Sequence, residues 1–189
     1  MFEKFALNRV KRKKRLYTAG VRTSKKFVDF NQAKSILLLL ESTTSELSTE
    51  LLKLTDSLKS QGKSVTVLVY LPRQESINSG HSDIYLVGTN EQDFLQRPKA
   101  TVVQQLKEKS FDLLLDLTTL QYPFVEYLIM QANASCKCGV KKKGANIYDF
   151  AIERSTPPGI STNENSSQKY LENYNQLFFY LKSIQSKDY

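Results

Sequence analysis

The 189-residue sequence predicts an α/β domain in three layers: a mostly parallel sheet of five or six strands with helices on both faces. Three observations predict it. Short, unbroken apolar runs of strand length recur along the chain, the mark of strands buried on both faces. Segments with apolar residues at helical spacing alternate with those runs. Glycine and proline punctuate the joins, and no internal repeat interrupts the alternation.

The first strand is Ile36 to Leu40, within Ser35-Ile36-Leu37-Leu38-Leu39-Leu40. Glu41 to Thr44 are expected to open the first helix, with Thr43 and Glu46 at capping-box spacing. Leu47, Leu51, Leu54 and Leu58 give that helix one apolar face, and Gly62 stops it. A second buried run spans Val65 to Tyr70 and closes at Pro72. The polar stretch Arg73 to Ser82 reads as a loop, and Ile84 to Val87 as a short third strand. The crossover from Leu71 to Asp83 shows no helix, which makes this strand the least strongly signalled. A helix is expected over Thr101 to Lys109, with Val102, Val103 and Leu106 on one side. Phe111 to Leu117 is the next strong strand. Pro123 suits the first turn of a helix running to about Ala134. Cys136 to Val140 and Tyr148 to Ile152 are two further short strands around the basic turn Lys141 to Gly144. Glu153 to Ser167 reads as a loop, and a last helix runs from about Ser167 to Gln185. Its face carries Tyr170, Tyr174, Leu177, Phe178, Leu181 and Ile184. The right-handed crossover rule then favours a Rossmann-like order, with Ile36 to Leu40 central beside Leu113 to Leu117.

Charge divides the chain in two. Ten of the 27 basic residues fall between Lys4 and Lys26, against the single acid Glu3, giving 10 − 1 = +9. The remainder sums to 17 − 18 = −1. Residues 1–30 therefore form a basic amphipathic arm on a nearly neutral body, residues 31–189. Met1, Phe2, Phe5 and Val10 fall near one helical face, with Leu16 and Tyr17 further along. Arg9, Lys11, Arg12, Lys13, Lys14 and Arg15 supply the charge. Such an arm meets an acidic surface: an anionic membrane, nucleic acid or an acidic protein. Alternatively its apolar residues dock on the body, or on a second copy in a homo-oligomer, while the charges face water. The body carries no RNP-like aromatic motif and no helix-turn-helix signal.

The longest apolar run, Ile36 to Leu40, is too short to span a bilayer, and no secretory signal pattern opens the chain. The two cysteines, Cys136 and Cys138, are too few for a disulfide framework. The expectation is a cytoplasmic protein, with a peripheral place at the inner face of the membrane as one form of it.

The body resembles an uncharacterised bacterial family, a domain of unknown function with a basic N-terminal helix and a Rossmann-like domain. The residues carrying the resemblance are Gln92-Asp93-Phe94, Phe111 to Leu117, Cys136-Lys137-Cys138-Gly139-Val140, Tyr148-Asp149-Phe150-Ala151-Ile152 and Tyr180 to Ile184. The resemblance implies a fold and brings no activity. The chain is also loosely similar to the N-terminal half of lipopolysaccharide heptosyltransferases, where a strand like Phe111 to Leu117 precedes a helix and a short strand ending in glycine, as at Gly139. Those enzymes show a Gly-Asp pair after the first strand, where this chain has Glu41-Ser42-Thr43-Thr44. They also use a second domain, for which this length leaves no room, so a complete glycosyltransferase is not expected.

In open α/β sheets ligands sit beyond the carboxyl ends of the strands. That rule selects Glu41, Ser42, Thr43 and Thr44 after the first strand, and Asp116, Thr118 and Thr119 after the fourth. Their hydroxyls and free N–H groups can hold an anion, and Glu41 with Asp116 can divide acid and base roles if their strands are adjacent. The plainer reading is that the Ser/Thr cluster caps a helix and Asp116 ends its strand in a hydrogen bond. No G-x-G-x-x-G or G-x-x-x-x-G-K-[ST] pattern is present, so no nucleotide cofactor is expected. Asp112 begins its strand at the opposite edge and reads as structural. No metal site is expected from Cys136, Cys138 and the lone His81, and hydrolytic triads would depend wholly on that histidine.

Overall fold

The structure, a computed structural model, describes residues 28–144, 147–153 and 166–184. Six strands make one parallel sheet: β1 (Ser35–Glu41), β2 (Ser64–Tyr70), β3 (Ile84–Val87), β4 (Phe111–Asp116), β5 (Ala134–Val140) and β6 (Phe150–Ile152). Their order is β3-β2-β1-β4-β5-β6, with every neighbouring pair parallel. This is the Rossmann-like order expected from the sequence, with β1 central between β2 and β4.

Four α-helices are described: α1 (Thr49–Ser60), α2 (Ala100–Lys107), α3 (Pro123–Gln131) and α4 (Ser166–Ser183). The alternation of side chains along β1 sorts them into layers. Ile36, Leu38 and Leu40 pack with Leu51, Leu54 and Leu58 of α1 and with Tyr174, Leu177 and Leu181 of α4. Leu37 and Leu39 face the other way, into a core with Val102 and Leu106 of α2 and Phe124 and Leu128 of α3. Phe30 is buried in the first core, its ring edge-on to Phe178 at 4.7 Å between centroids.

The first helix starts later than its sequence suggests. The cap is Ser48, whose hydroxyl accepts the Leu51 N–H at 3.2 Å, and not the Thr43–Glu46 box. A tertiary contact decides this: the Ser48 hydroxyl also lies 2.6 Å from the Tyr170 hydroxyl of α4. Glu41 to Thr44 instead form the end of β1 and a turn in which the Thr44 N–H donates to Ser42 Oγ. Gly62 does end α1, at a φ of +76° that favours glycine. Its N–H donates to the Lys59 carbonyl while that of Lys63 reaches back to Leu58, the paired bonds of a Schellman motif.

The crossover from β2 to β3 has no helix, as its composition suggested, yet it is anchored. The Gly88 N–H donates to Ser76 Oγ and the Thr89 N–H to the Gln74 carbonyl. A Cβ on Gly88 would lie 2.2 Å from that carbonyl oxygen, so only glycine lets the loop approach β3 this closely. Helix α3 ends at Gln131, three residues before the sequence estimate, because β5 already begins at Ala134. Strand β6 is limited to Phe150–Ile152, since Tyr148 is directed across the sheet end. The stretch 154–165 lies outside the described residues.

Candidate functional site at the carboxyl ends of β1 and β4

Strand order reverses between β1 and β4, and there the loops leave in opposite directions and open a crevice. Glu41 is the last residue of β1 and Asp116 the last of β4, on adjacent strands.

Asp116 is wholly buried. One carboxylate oxygen accepts the Thr118 N–H at 3.0 Å and the Thr118 hydroxyl at 2.6 Å. The other accepts Lys142 Nζ at 2.7 Å and the Tyr148 hydroxyl. The Lys142 ammonium also donates to Thr118 Oγ1, and its side chain is only 8% exposed. Both carboxylate oxygens thus accept two donors each. Burial, and then the neighbouring Asp116 charge, push the Tyr148 hydroxyl well above its ordinary pKa, so it stays protonated as a donor. Tyr148 reaches Asp116 by crossing the backbone of Gly139, which is the register partner of Asp116 on β5. A Cβ on Gly139 would lie 2.5 Å from the Tyr148 ring.

Glu41 makes a second cluster beside the first. Its carboxylate accepts the Thr119 N–H at 2.8 and 3.0 Å and also the Thr119 hydroxyl. Burial raises its pKa, although the Thr119 bonds and Lys142 pull the other way and Asp116 adds to the rise. An aromatic wall stands nearby: Tyr70 stacks on Phe124 at 4.8 Å and meets Tyr122 edge-on at 5.0 Å. Burial, with the Glu41 charge behind it, pushes the Tyr122 hydroxyl up to about 12.

Two of the cavities among the described residues border the sheet. The smaller, about 280 Å³, is lined by Glu41, Ser42, Thr44, Glu46, Ser48 and Tyr170 among others. The larger, about 770 Å³, lies against β2, β3 and α2, where the helix-free crossover leaves that face of the sheet thinly covered.

The sequence-selected residues therefore separate. Asp116 with Thr118 and Glu41 with Thr119 are bonded pairs, brought side by side by β1 and β4. Ser42 and Thr44 line the smaller cavity with Glu41. Thr43 is exposed, and its carbonyl accepts from Gln74 Nε2 at 2.6 Å. Asp112 is structural as expected: at the opposite end of β4 it accepts the N–H groups of Lys34 and Ser35 at 2.7 and 2.9 Å. Arg9, Lys11, Arg12, Lys13, Lys14 and Arg15 lie outside the described residues. Lys142 and Tyr148 were missed by the sequence reading. The signal was present: the basic turn after β5 leaves the same edge of the sheet, so the strand-end rule applied there would have selected Lys142.

As chemistry, the arrangement fastens strand ends. Each Asp116 carboxylate oxygen accepts two donors of its own chain, and Glu41 accepts from Thr119 at the edge of the smaller cavity. Among the described residues no group of three His, Cys, Asp or Glu is placed to hold a metal, and no helix is long and apolar enough to cross a membrane.

A model of a family of unknown function (DUF6913) matches residues 4–184. No curated protein matches the chain. Among solved structures, E. coli heptosyltransferase WaaC with ADP is similar at 12% identity and a TM-score of 0.43, over 82% of this chain and 49% of that one. The same enzyme with ADP-2-deoxy-2-fluoro heptose gives 13% and 0.43, over 80% and 51%. The chain thus spans about half the length of the heptosyltransferases it matches.

Proposed function

The chain belongs to the family of unknown function DUF6913, and we propose that it is a non-enzymatic interaction module recruited to an acidic surface through its N-terminal arm. The observation carrying this reading is the segregation of charge: +9 within the first 26 residues against −1 for everything after them. A cationic segment of that density is drawn to polyanions by electrostatics alone. At the crevice, the Asp116 carboxylate is bonded by Lys142 and Tyr148 of its own chain, and Glu41 by Thr119.

The test compares the whole chain with a variant in which Lys11, Arg12, Lys13, Lys14 and Arg15 are reversed to Glu. Flotation with anionic liposomes and retention on immobilised RNA are measured at low and high salt. Salt-sensitive binding to one of these surfaces, lost on reversal, is expected. A whole chain that ignores both surfaces at low salt sinks the reading.

One observation favours a second reading, a small ligand-binding domain or enzyme with a strand-end pocket: the 280 Å³ cavity opens on Glu41, Ser42 and Thr44. Saturation binding of a small anion, abolished by Ser42→Ala with Thr44→Ala and indifferent to the arm, would favour it instead.

A further inference from the structure

Helix α4 runs back along the sheet, antiparallel to its strands. Near its start Asn173 Nδ2 donates to the carbonyl of Leu117 at 2.9 Å, just past the carboxyl end of β4. Near its close Phe178 meets Phe30, which precedes β1. Tyr170, Tyr174, Leu177 and Leu181 form its buried stripe, at helical spacing. The outward face changes character along this path. Glu172 and Asn175 are exposed and polar, as a solvated face should be. One turn on, Phe179 is 67% and Tyr180 48% exposed, their rings edge-to-face at 5.5 Å between centroids. A lone exposed apolar side chain is ordinary, whereas two adjacent rings in contact make a patch. Cations flank it. Lys182 is exposed, with Nζ 4.3 Å from the centroid of the Phe178 ring, and Lys34 is exposed at the same end of the sheet. The acids beside them are engaged by backbone: Asp29 accepts the Asn31 N–H at 2.8 Å, and Asp112 accepts those of Lys34 and Ser35. Residues 1–27 hold ten basic side chains against one acid, and they join the body at Val28, which packs on the same core as Phe30.

We infer that the carboxyl end of α4 is a lipid-contact surface, where Phe179 and Tyr180 enter the interface of an anionic membrane and Lys34 and Lys182 meet its headgroup phosphates. Aromatic rings suit that depth, since the ring body is apolar while a tyrosine hydroxyl stays with water. Lys182 keeps its stem along Phe178 while its ammonium reaches the headgroups. Charge draws the same end of the body to such a surface, because the cation-rich segment joins there. RNA also offers phosphates, but successive bases stack on parallel ring faces, and these two rings stand at 80°. The inference rests on the recruitment proposed above; it names lipid as the acidic surface and adds a contact made by the body itself.

The chain has no tryptophan, so a single indole reports on one position. In the full chain, Phe179→Trp is compared with Phe94→Trp, which replaces a 78% exposed ring beyond the carboxyl end of β3, at the opposite end of the sheet. Both are titrated with vesicles of phosphatidylcholine and phosphatidylglycerol in equal parts, and with vesicles of phosphatidylcholine alone. Phe179→Trp emission is expected to shift to the blue on the anionic vesicles and to be quenched by brominated acyl chains, while Phe94→Trp does neither. Phe179→Ser with Tyr180→Ser is expected to weaken partition onto the anionic vesicles about tenfold or more, for the loss of two rings from the interface, with the urea midpoint unchanged. Vesicle binding without a shift from Phe179→Trp overturns the inference and leaves recruitment standing, as does binding to RNA alone. Equal shifts from the two tryptophans, or partition indifferent to the serine pair, overturn it as well. A chain that binds neither vesicles nor RNA sinks both readings. A Phe179→Trp shift that survives reversal of the Lys11 to Arg15 charges counts against recruitment through the arm and leaves the α4 contact standing.

Discussion

Lys142 Nζ lies 2.7 Å from the Asp116 carboxylate in a pair almost closed to solvent, joining the turn after β5 to the end of β4. Removing one member leaves the other buried and uncompensated, a loss of about 3–5 kcal/mol for pairs of this kind. Asp116→Ala and Lys142→Met are each expected to lower the urea midpoint by a large fraction of the total stability. Replacing both together, Asp116→Leu with Lys142→Met, is expected to cost less than the sum. An additive double mutant would show that the two side chains do not act as a pair.

Gly139 and Tyr148 are coupled by space. The tyrosine ring occupies the position of a Cβ on Gly139, so Gly139→Ala must displace the ring and its bond to Asp116. Overpacking of this kind costs about 1–3 kcal/mol. Tyr148→Ala removes the obstruction, and Gly139→Ala in that background is expected to be nearly neutral. Thermal unfolding of the four proteins in the cycle checks this. A full cost for Gly139→Ala without the ring would place the constraint in the β5 backbone.

The raised pKa of Glu41 fixes the sign of a pH effect. With its folded pKa above the unfolded value, the native state binds more protons between the two. Its contribution therefore falls as pH rises through that window, starting near the ordinary glutamate value of 4.5. Glu41→Gln retains an oxygen to accept from Thr119 and removes the titration. The stability difference between variant and wild type should grow in the variant's favour from below that value up to neutral pH. Urea midpoints across this range that stay parallel would show Glu41 to be unperturbed.

Much of the fold was legible because burial on both faces writes itself as unbroken apolar runs. Ile36 to Leu40 and Leu113 to Leu115 could only be central strands, and their adjacency followed from the crossover rule. The site was legible to the same depth, since Glu41 and Asp116 end those two strands. What it lacked were partners supplied from far along the chain. Lys142 is 26 residues from Asp116 and Tyr148 is 32, and no local pattern couples such positions. Lys63 is a similar case, a buried ammonium donating to the carbonyls of Phe30 and Ala33 at 2.7 and 2.8 Å. In sequence it is one more surface-like lysine after a glycine.

The start of α1 shows local and tertiary signals in conflict, and two substitutions separate them. Ser48→Ala removes both the cap on Leu51 and the contact with Tyr170, so a loss of about 1 kcal/mol or more is expected. Thr43→Ala removes an exposed hydroxyl and leaves the carbonyl that Gln74 uses, so it is expected to be neutral. Equal losses at the two positions by chemical denaturation would restore the capping box as the true start.

Binding through the arm has a numerical signature. Arg9 and Lys11 to Arg15 are six cations in seven positions. Each phosphate neutralised on duplex DNA releases condensed counterions, and the logarithm of affinity falls against the logarithm of salt with a slope of about −0.9 per contact. Full engagement of the six therefore predicts a slope of roughly −5. Arg12→Lys keeps the charge and should keep the slope, whereas Lys13→Ala with Lys14→Ala should reduce its magnitude by about two contacts' worth. Binding titrations at a series of salt concentrations measure this directly. A slope near zero with affinity intact would mean that the arm is held by apolar contact, and that the segregated charge serves solubility and not recognition.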